Sequence, residues 1–370
     1  MCCMQCTERP RARQLDVLRT GAATRNRLQW VRLCCVKAAR PTIYDVARRA
    51  GVSTATVSRA LNGTARIAPD TRAVIDAAVE ELGYRPNTIA RSLVTKSTQT
   101  IALLLPDIAN PFYAELVRGI QQRALASGHT MLLCTTEGDP EREEEYLTLL
   151  RAKQVDGVLV DGLVLPPDRI AHFVREGLPI VCLDRDVDST SVPLVQVDNR
   201  LGAHMATEHL LSLGHRRVAH IAGAPDLGIS EERIAGYRDA HGAVGLEPDL
   251  ALLAVGSFTD EGGYEAMRTL LARTELTAVF AANDLSAIGV INALVESGRR
   301  VPEDVSVVGF DDIRLARFTT PPLTTIAQPA LEIAERATQL LLDLAGGSEV
   351  LELRHLLEPT LVIRRSTARP

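Results

Sequence analysis

Polar side chains stand at the ends of many apolar runs in the C-terminal three quarters of this 370-residue chain. The residues at these ends are Asp107, Asp161, Asp184, Asp198, Phe258, Asn283, Asp284, Asp311 and Asp312. Carboxylates and amides form hydrogen bonds with hydroxyl groups, and an aromatic ring can cover the apolar face of a sugar. If the ends of the runs meet in the fold, their chemistry is the reversible binding of a polar, neutral ligand with many hydroxyls.

Signals for catalysis are missing from the same region. No GxGxxG follows an apolar run, and neither GxxxxGK[ST] nor GxSxG occurs. His204 and His209 are five residues apart rather than the four of a helical zinc pair, and Asp311 and Asp312 would point to opposite faces of a strand. The sequence predicts a protein that is not an enzyme and that uses no metal and no cofactor.

A second stretch with chemical potential is "GVSTATVSRALNG", residues 51–63, which combines small hydroxyl side chains with one arginine and one asparagine. Such side chains contact phosphates and base edges in protein–DNA complexes. The charge distribution agrees, because residues 37–97 hold ten lysines and arginines against five acidic residues, whereas the rest of the chain beyond them holds 24 against 39. Nucleic acid is therefore expected to bind only at the N-terminal end.

The first 36 residues differ in composition from the rest of the chain. They carry seven arginines, two acidic residues and five of the seven cysteines, at spacings that fit no zinc site, and they lack apolar periodicity. We expect residues 1–36 to be a disordered extension or to lie upstream of the true start of the protein. No uninterrupted run of 18 apolar residues occurs, so we expect a cytoplasmic protein.

Three short helices are predicted to position the hydroxyl-rich stretch. Thr42 and Asp45 fit the two ends of a capping box, and Ser53 fits an N-cap for the helix after it. A third helix should begin at Pro69 and end at Gly83. Two short helices joined by a tight turn and supported by a third form a helix-turn-helix unit.

From residue 101 onward, nine short apolar runs alternate with helical patterns. This alternation is typical of parallel sheets covered by helices on both faces. About 270 residues with nine or more strands favour two α/β lobes over one. Ligands of open parallel sheets bind beyond the carboxyl ends of the strands, where the polar residues that end the apolar runs would meet.

"PTIYDVARRAGVSTATVSRALNG" and "VEELGYRPNTIARSL" resemble the DNA-binding region of the LacI/GalR family of bacterial transcription repressors. The resemblance continues through "IALLLPDIANPFYAELVRGI", "LLSLGHRRVAHIAG", "AVFAANDLSAIGVINAL" and "VPEDVSVVGFDDI", and it covers about 330 residues. It implies a homodimer that binds a roughly palindromic operator, and a two-lobed effector domain similar to periplasmic sugar-binding proteins. The expected fold class is an all-α helix-turn-helix domain joined to an α/β domain of the periplasmic-binding-protein type.

The resemblance also implies domain boundaries. The helix-turn-helix domain would span residues 37–84, and a hinge helix with its linker would span 85–98. The effector-binding and dimerisation domain would span 99–370. Its first lobe would hold about 99–198 and 328–357, and its second about 199–327 and 358–370.

The resemblance implies, position by position, the residues that contact DNA. Those expected on the recognition helix or at its start are Ser53, Thr54, Ala55, Thr56, Ser58 and Arg59. Those expected to touch phosphate or to seat the helix are Tyr44, Asn62, Thr71, Tyr84 and Asn87. Arg66, at a position whose usual residue varies, and Ala90 are also expected to contact DNA. Leu93 matches the hinge-helix leucine that enters the minor groove and kinks the DNA.

The effector residues implied by the resemblance are Asn110, Phe112, Asp184, Arg185, Arg233, Phe258, Asn283, Asp311 and Gln328. Leu227 and Ile229 are apolar where purine-responsive members have polar contacts, which favours a sugar or a sugar phosphate over a purine. The function expected is a repressor of carbohydrate-metabolism genes. Two alternatives stay open: a corepressor-dependent or global regulator of the same family, and a sugar-binding protein without a role on DNA.

Overall fold

The computed structural model describes residues 41–62, 66–85, 97–161, 165–184, 192–225 and 227–370. Several expectations lie outside these residues: the extension 1–36, most of the hinge segment with Asn87, Ala90 and Leu93, the residue Arg185, and the side chain of Asn62. The described residues fall into two compact units, one within residues 1–86 and the other within residues 87–370.

Three helices form the N-terminal unit: α1 (Ile43–Ala50), α2 (Thr54–Asn62) and α3 (Pro69–Leu82). The backbone N–H and the hydroxyl of Thr42 both donate to the carboxylate of Asp45, at 2.9 and 2.7 Å, at the start of α1. Gly51 ends α1 at φ +68°, a left-handed conformation that glycine adopts at low cost. The predicted helix-turn-helix arrangement is therefore confirmed.

The core of this unit is small, and it consists of one apolar stripe from each helix. Val46, Val57 and Ile75 are fully buried, together with Ala47, Ala60 and Ala78. The opposite face of α2, with Ala55 and Arg59, is exposed.

The larger unit contains two six-stranded sheets. In the sheet of lobe 1 the strand order is β11-β5-β4-β3-β1-β2, and every pair is parallel. In the sheet of lobe 2 the order is β12-β10-β9-β8-β6-β7, and only the β10–β12 pair is antiparallel. The strands are β1 (Thr100–Leu105), β2 (Thr130–Thr135), β3 (Gly157–Asp161), β4 (Ile180–Leu183), β5 (Leu194–Val197), β6 (Val218–Ala222), β7 (Leu253–Val255), β8 (Ala278–Ala281), β9 (Ser306–Asp311), β10 (Thr324–Ala327), β11 (Arg354–Leu357) and β12 (Thr360–Val362).

Helices cover both faces of each sheet. In β1, Ile101 and Leu103 pack into one buried apolar cluster, while Ala102 and Leu104 pack into another on the opposite face. The helices are α4 (Pro111–Ala126), α5 (Pro140–Ala152), α6 (Pro167–Arg175), α7 (Asn199–Ser212), α8 (Gly228–Ala243), α9 (Asp260–Arg273), α10 (Asp284–Glu296) and α11 (Ala330–Ala345). The expected fold class is confirmed, with one antiparallel strand added to an otherwise parallel pair of sheets.

The chain crosses between the lobes three times. It leaves lobe 1 after β5, returns through α11, and crosses again between β11 and β12. Within the described residues, no helix is both long enough and apolar enough to span a membrane.

Candidate functional site

The second helix of the N-terminal unit presents short polar side chains and one long cation. Ser53 begins it, because its Oγ accepts the backbone N–H of Thr56 at 3.1 Å and lies 2.8 Å from the Thr56 Oγ1. Ala55 and Arg59 are exposed and four residues apart, so they share one face of α2. Val57 is buried on the opposite face.

Other positions implied by the resemblance lie on this helix or elsewhere in the same unit. Tyr44 is 68% exposed on α1, and Arg66 is exposed just before α3. Thr54, Ser58, Thr71 and Tyr84 are half-buried. The structure thus provides a surface on which some side chains can reach a partner while others support the helix.

Arg72 is a supporting residue that the sequence did not reveal. Its Nη1 donates to the carbonyl of Ala60 at 2.7 Å, and its Nε forms an ion pair with Asp76 at 2.9 Å. The backbone of α2 is therefore held by α3 near its C-terminal end. The pairing of Arg72 with Asp76 four residues later is a signal in the sequence, but the contact with Ala60 is not.

A cavity of about 200 Å³ lies between the two lobes of the larger unit, at the carboxyl ends of their strands. Eight of the nine expected effector residues line it: Asn110, Phe112, Asp184, Arg233, Phe258, Asn283, Asp311 and Gln328. Two strand-end carboxylates, Asp107 and Asp161, line it as well. The structure thus brings these polar residues together at one edge of the sheets, and their role as effector contacts stays a prediction.

Three other strand-end carboxylates do not line the cavity. Asp198 instead caps α7 by accepting the backbone N–H of Leu201 at 2.8 Å. Asp284 is fully buried and accepts the backbone N–H of Ile313 and the hydroxyl of Thr325. The expectation that these carboxylates face the cleft was wrong, because helix capping and loop anchoring use their side chains.

Asp312 is the third of these carboxylates. It forms an ion pair with Arg364, and Arg317 lies 3.6 Å from it. Its neighbour Asp311 faces the cavity, so the two carboxylates separate as expected for successive residues at the end of a strand.

Arg233 supplies the one positive charge among the cavity-lining residues that the structure describes. Only 3% of the residue is exposed. Its Nε and Nη2 donate to Oδ1 of Asn199 at 2.9 and 2.8 Å, and its Nη1 donates to the carbonyl of Ala282. Its Cζ lies 3.7 Å from the ring centroid of Phe310. The guanidinium is therefore fixed by lobe 2 alone.

Burial sets the protonation of the two carboxylates nearest to this cation. It raises the pKa of Asp184 to about 6, against the opposing charge of Arg233. It raises the pKa of Asp311 to about 7, against Arg233 and a 2.7 Å hydrogen bond from the Gln328 amide. Each carboxylate is a hydrogen-bonding group in a weakly solvated site, where such bonds are strong.

Two acceptor atoms in the cavity have no hydrogen-bond partner among the described residues. They are Oδ1 of Asp184 and Oε1 of Gln328, both buried. A buried acceptor without a donor is costly, so a ligand hydroxyl at either position would relieve that cost. A ligand that binds here should therefore supply hydrogen-bond donors.

Phe258 forms an aromatic wall in a strained conformation. Its φ is +59°, in the left-handed region that bulky residues rarely adopt. The side-chain amide of Asn283 donates to the Phe258 carbonyl at 2.9 Å, which helps to hold the loop. The ring packs against Gly223, where an added Cβ would lie 2.0 Å from ring carbons. Glycine at 223 is thus required for the ring to occupy this position.

Apolar side chains complete the lining: Pro106, Phe112, Leu227, Ile229 and Leu285. The hydroxyl of Tyr113 keeps its proton, since burial and nearby carboxylates hold its pKa well above the usual value. Apolar walls with a few convergent polar groups are typical of small-molecule sites. Among the residues that sequence reasoning missed are Tyr113 and Asn199, both at helix starts rather than at strand ends.

Comparisons with known proteins agree with both parts of this geometry. Residues 42–87 match the family profile of bacterial regulatory proteins, lacI family, and residues 207–367 match that of the periplasmic binding protein-like domain. The chain is 38% identical over 332 residues to the HTH-type transcriptional regulator DegA of Bacillus subtilis, covering 89% of this chain and 98% of that protein.

Two solved structures are also similar. One is a complex of the transcriptional regulator CelR with cellobiose, at 38% identity and a TM-score of 0.67, with 88% of this chain and all of that chain covered. The other is a lac repressor dimer bound to operator and the anti-inducer ONPF, at 29% identity and a TM-score of 0.80, with 89% of this chain and all of that chain covered.

Proposed function

Because the chain belongs to the lacI family of bacterial regulatory proteins, and is thus a DNA-binding transcriptional regulator, we propose that it is a repressor whose operator affinity is controlled by a small sugar. The observation that carries the proposal is the cavity in which two unpartnered acceptors lie beside a buried arginine and an aromatic wall. The genes it controls would be those of carbohydrate metabolism.

On DNA, α2 would lie in the major groove and Arg59 would be its longest reader of base edges. Ala55, on the same exposed face, can contact a thymine methyl group but offers no hydrogen bond. Since one such helix reads few bases, a homodimer on a palindromic site would double the number of bases that are read. The operator-bound lac repressor dimer supports this arrangement.

In the cavity, ligand hydroxyls would donate to Asp184 and Gln328, while Phe258 would cover an apolar face of the ring. A purine is less favoured as the ligand, because the side chains of Leu227 and Ile229 offer it only apolar surface at the cavity wall. The complex of CelR with cellobiose supports a sugar as the ligand class. The protein would use no metal and no cofactor, and it would catalyse no reaction. It would act in the cytoplasm, where its operator lies.

Of the two sugar classes left open by the sequence, an unphosphorylated sugar fits better. Four carboxylates line the cavity: Asp107, Asp161, Asp184 and Asp311. The guanidinium of Arg233 already donates to Asn199 and Ala282. A phosphate group would add negative charge to a buried acidic site whose described residues hold no further cation to pair with it.

A matched thermal-shift screen tests the proposal. Neutral monosaccharides and disaccharides are each compared with their phosphorylated counterpart on the full chain. We expect at least one neutral sugar to raise the melting temperature and its phosphate to raise it far less. Stabilisation by the phosphorylated form alone would contradict the choice of ligand class, and stabilisation by no sugar would contradict the proposed effector.

A further inference from the structure

Asp156 binds the chain where it emerges from the segment that joins the two units. Its Oδ1 accepts the backbone N–H of Thr98 at 2.7 Å and lies 3.2 Å from the Thr98 hydroxyl. Its Oδ2 accepts the hydroxyl of Ser97 at 2.8 Å. We call Ser97, Thr98 and Asp156 the linker clasp, because residues 86–96 directly precede it in the chain.

The clasp is a buried, charge-assisted contact. The Asp156 side chain is only 7% exposed, and hydrogen bonds to a carboxylate in such surroundings are stronger than those between neutral groups. The Thr98 hydroxyl also lies 3.0 Å from the carbonyl of Gln154, and Nε2 of His129 lies 3.5 Å from Asp156. The linker end is therefore held at several points of lobe 1.

The clasp lies at the opposite end of the sheet from the effector cavity. Asp156 immediately precedes β3, and the last residue of β3, Asp161, lines the cavity. Five residues of strand span about 16 Å. Strand β1 likewise begins two residues after Thr98 and ends two residues before Asp107, which lines the cavity. Strands β1 and β3 pair in register from Ile101 with Gly157 to Leu104 with Val160. Two hydrogen-bonded strands thus connect the clasp to the cavity.

We propose that Asp156 is a positioning residue for operator binding, which fixes Ser97 and Thr98 on lobe 1 and so fixes the point at which the chain from the DNA-binding unit enters that lobe. Without the clasp, these two residues could adopt more conformations, and that freedom would be lost on binding to a specific site. Asp156 touches neither DNA nor effector in this role. The inference rests on the proposed function, since it requires that the protein bind a specific site.

The experiment compares Asp156→Asn with Asp139→Asn in the full chain. Asp139 is a matched control, because its carboxylate also accepts a backbone N–H in lobe 1, that of Glu141 at 2.9 Å, but belongs to the cap of α5. The probe is a duplex that the wild-type protein selects from a random pool, with a scrambled duplex for non-specific binding. Loss of the charged hydrogen bonds should weaken binding to the selected duplex about tenfold.

Three further readouts separate positioning from general damage to the lobe. Non-specific affinity and its salt dependence should stay close to those of the wild type, because the cations expected to contact DNA lie in the other unit. Asp156→Asn should also remain folded at the assay temperature, although the lost hydrogen bonds lower its melting temperature. Thr98→Ser, which keeps both donors, should bind the selected duplex like the wild type. Ser97→Ala should bind it about threefold more weakly, and the double variant with Asp156→Asn should be no weaker than Asp156→Asn alone.

Several results would overturn the assignment: Asp156→Asn within twofold of the wild type, an equal loss in Asp139→Asn, or additive losses in the double variant. If Asp156→Asn does not fold, the milder Ser97→Ala decides, since unchanged affinity there contradicts the clasp. A wild-type protein that selects no duplex would contradict the proposed function itself, and the inference would fail with it.

Discussion

The guanidinium of Arg233 lies over the ring of Phe310, with Cζ 3.7 Å from the ring centroid, so one buried cation of the effector cavity is stacked as well as hydrogen-bonded. Stacking adds to the hydrogen bonds with Asn199 and Ala282, and it leaves the guanidinium little freedom before a ligand arrives. Such preorganisation lowers the entropy cost of binding.

Replacing Arg233 by Ala should remove the response to sugar while operator binding persists, because the residues expected to contact DNA lie in the other unit. It should also lower the free energy of unfolding by about 3 kcal/mol, since it leaves Oδ1 of Asn199 and two carboxylates without their cation. Arg200→Ala is the control, because Arg200 forms an exposed ion pair with Asp239 on the same lobe and should cost under about 1 kcal/mol. Chemical denaturation and operator titration measure the two effects, and a retained sugar response would contradict the role of Arg233.

Replacing Gly223 by Ala should displace the ring of Phe258. The added Cβ would overlap the ring, and relief of that overlap should weaken sugar binding at least tenfold while costing about 1 to 3 kcal/mol of stability. Gly242→Ala is the matched control, because nothing lies within 4 Å of its added Cβ and alanine favours the helix. Calorimetric titration with the sugar found by screening measures the affinity; equal affinities in the two variants would argue against Phe258 as a wall of the site.

Stability should respond to pH through Asp311. Its folded pKa of about 7 lies above its ordinary value of 3.8, so the folded state binds the proton more tightly than the unfolded state does. The contribution of this carboxyl is therefore greatest below about pH 4 and is lost as pH rises to about 7. Burial lowers the pKa of His220 to about 4, which has the opposite effect over part of this range.

Comparison with Asp311→Asn isolates the carboxyl, because the histidines are common to both proteins. The free energy of unfolding of the variant, relative to the wild type, should rise by roughly 2 to 4 kcal/mol between pH 4 and pH 7. Urea denaturation at a series of pH values measures it. A difference that does not change with pH would show that Asp311 titrates normally.

Replacing Arg59 by Ala should remove most operator discrimination. Arg59 is the longest side chain on the exposed face of α2, and a good base contact is worth about 1 to 3 kcal/mol. Weak, salt-sensitive binding to any duplex should remain. Fluorescence anisotropy with selected and scrambled duplexes measures both, and an unchanged affinity ratio would contradict the role of Arg59 as a reader. Arg49→Ala, which removes an arginine paired with Glu81 in the same unit, should keep the ratio.

The sequence predicted the strands that are mostly apolar. The nine apolar runs correspond to β1 to β9, and most of these are buried parallel strands, which are apolar on both faces. Strands β10, β11 and β12, with sequences TTIA, RHLL and TLV, were not predicted. They are short, they include polar residues, and their pairing depends on neighbouring strands rather than on a local pattern.

Prediction from the sequence was limited in a similar way for the single residues that line the cavity. Position at a strand end indicated Asp184 and Asp311, which line the cavity because topology alone brings those strand ends together. It failed for Asp198 and Asp284, because a carboxylate at a strand end can also cap the next helix or anchor a loop, and position alone does not distinguish these roles. Asn199 was missed for the same reason, since its role is to hold Arg233 rather than to end a strand.

The most direct measurement is the affinity of the full chain for its selected operator duplex, with and without the neutral sugar that stabilises it. We expect the sugar to change operator affinity at least tenfold in the wild type and to have little effect in Asp311→Asn. An operator affinity that the stabilising sugar leaves unchanged would contradict the account of this protein as a repressor controlled by a sugar.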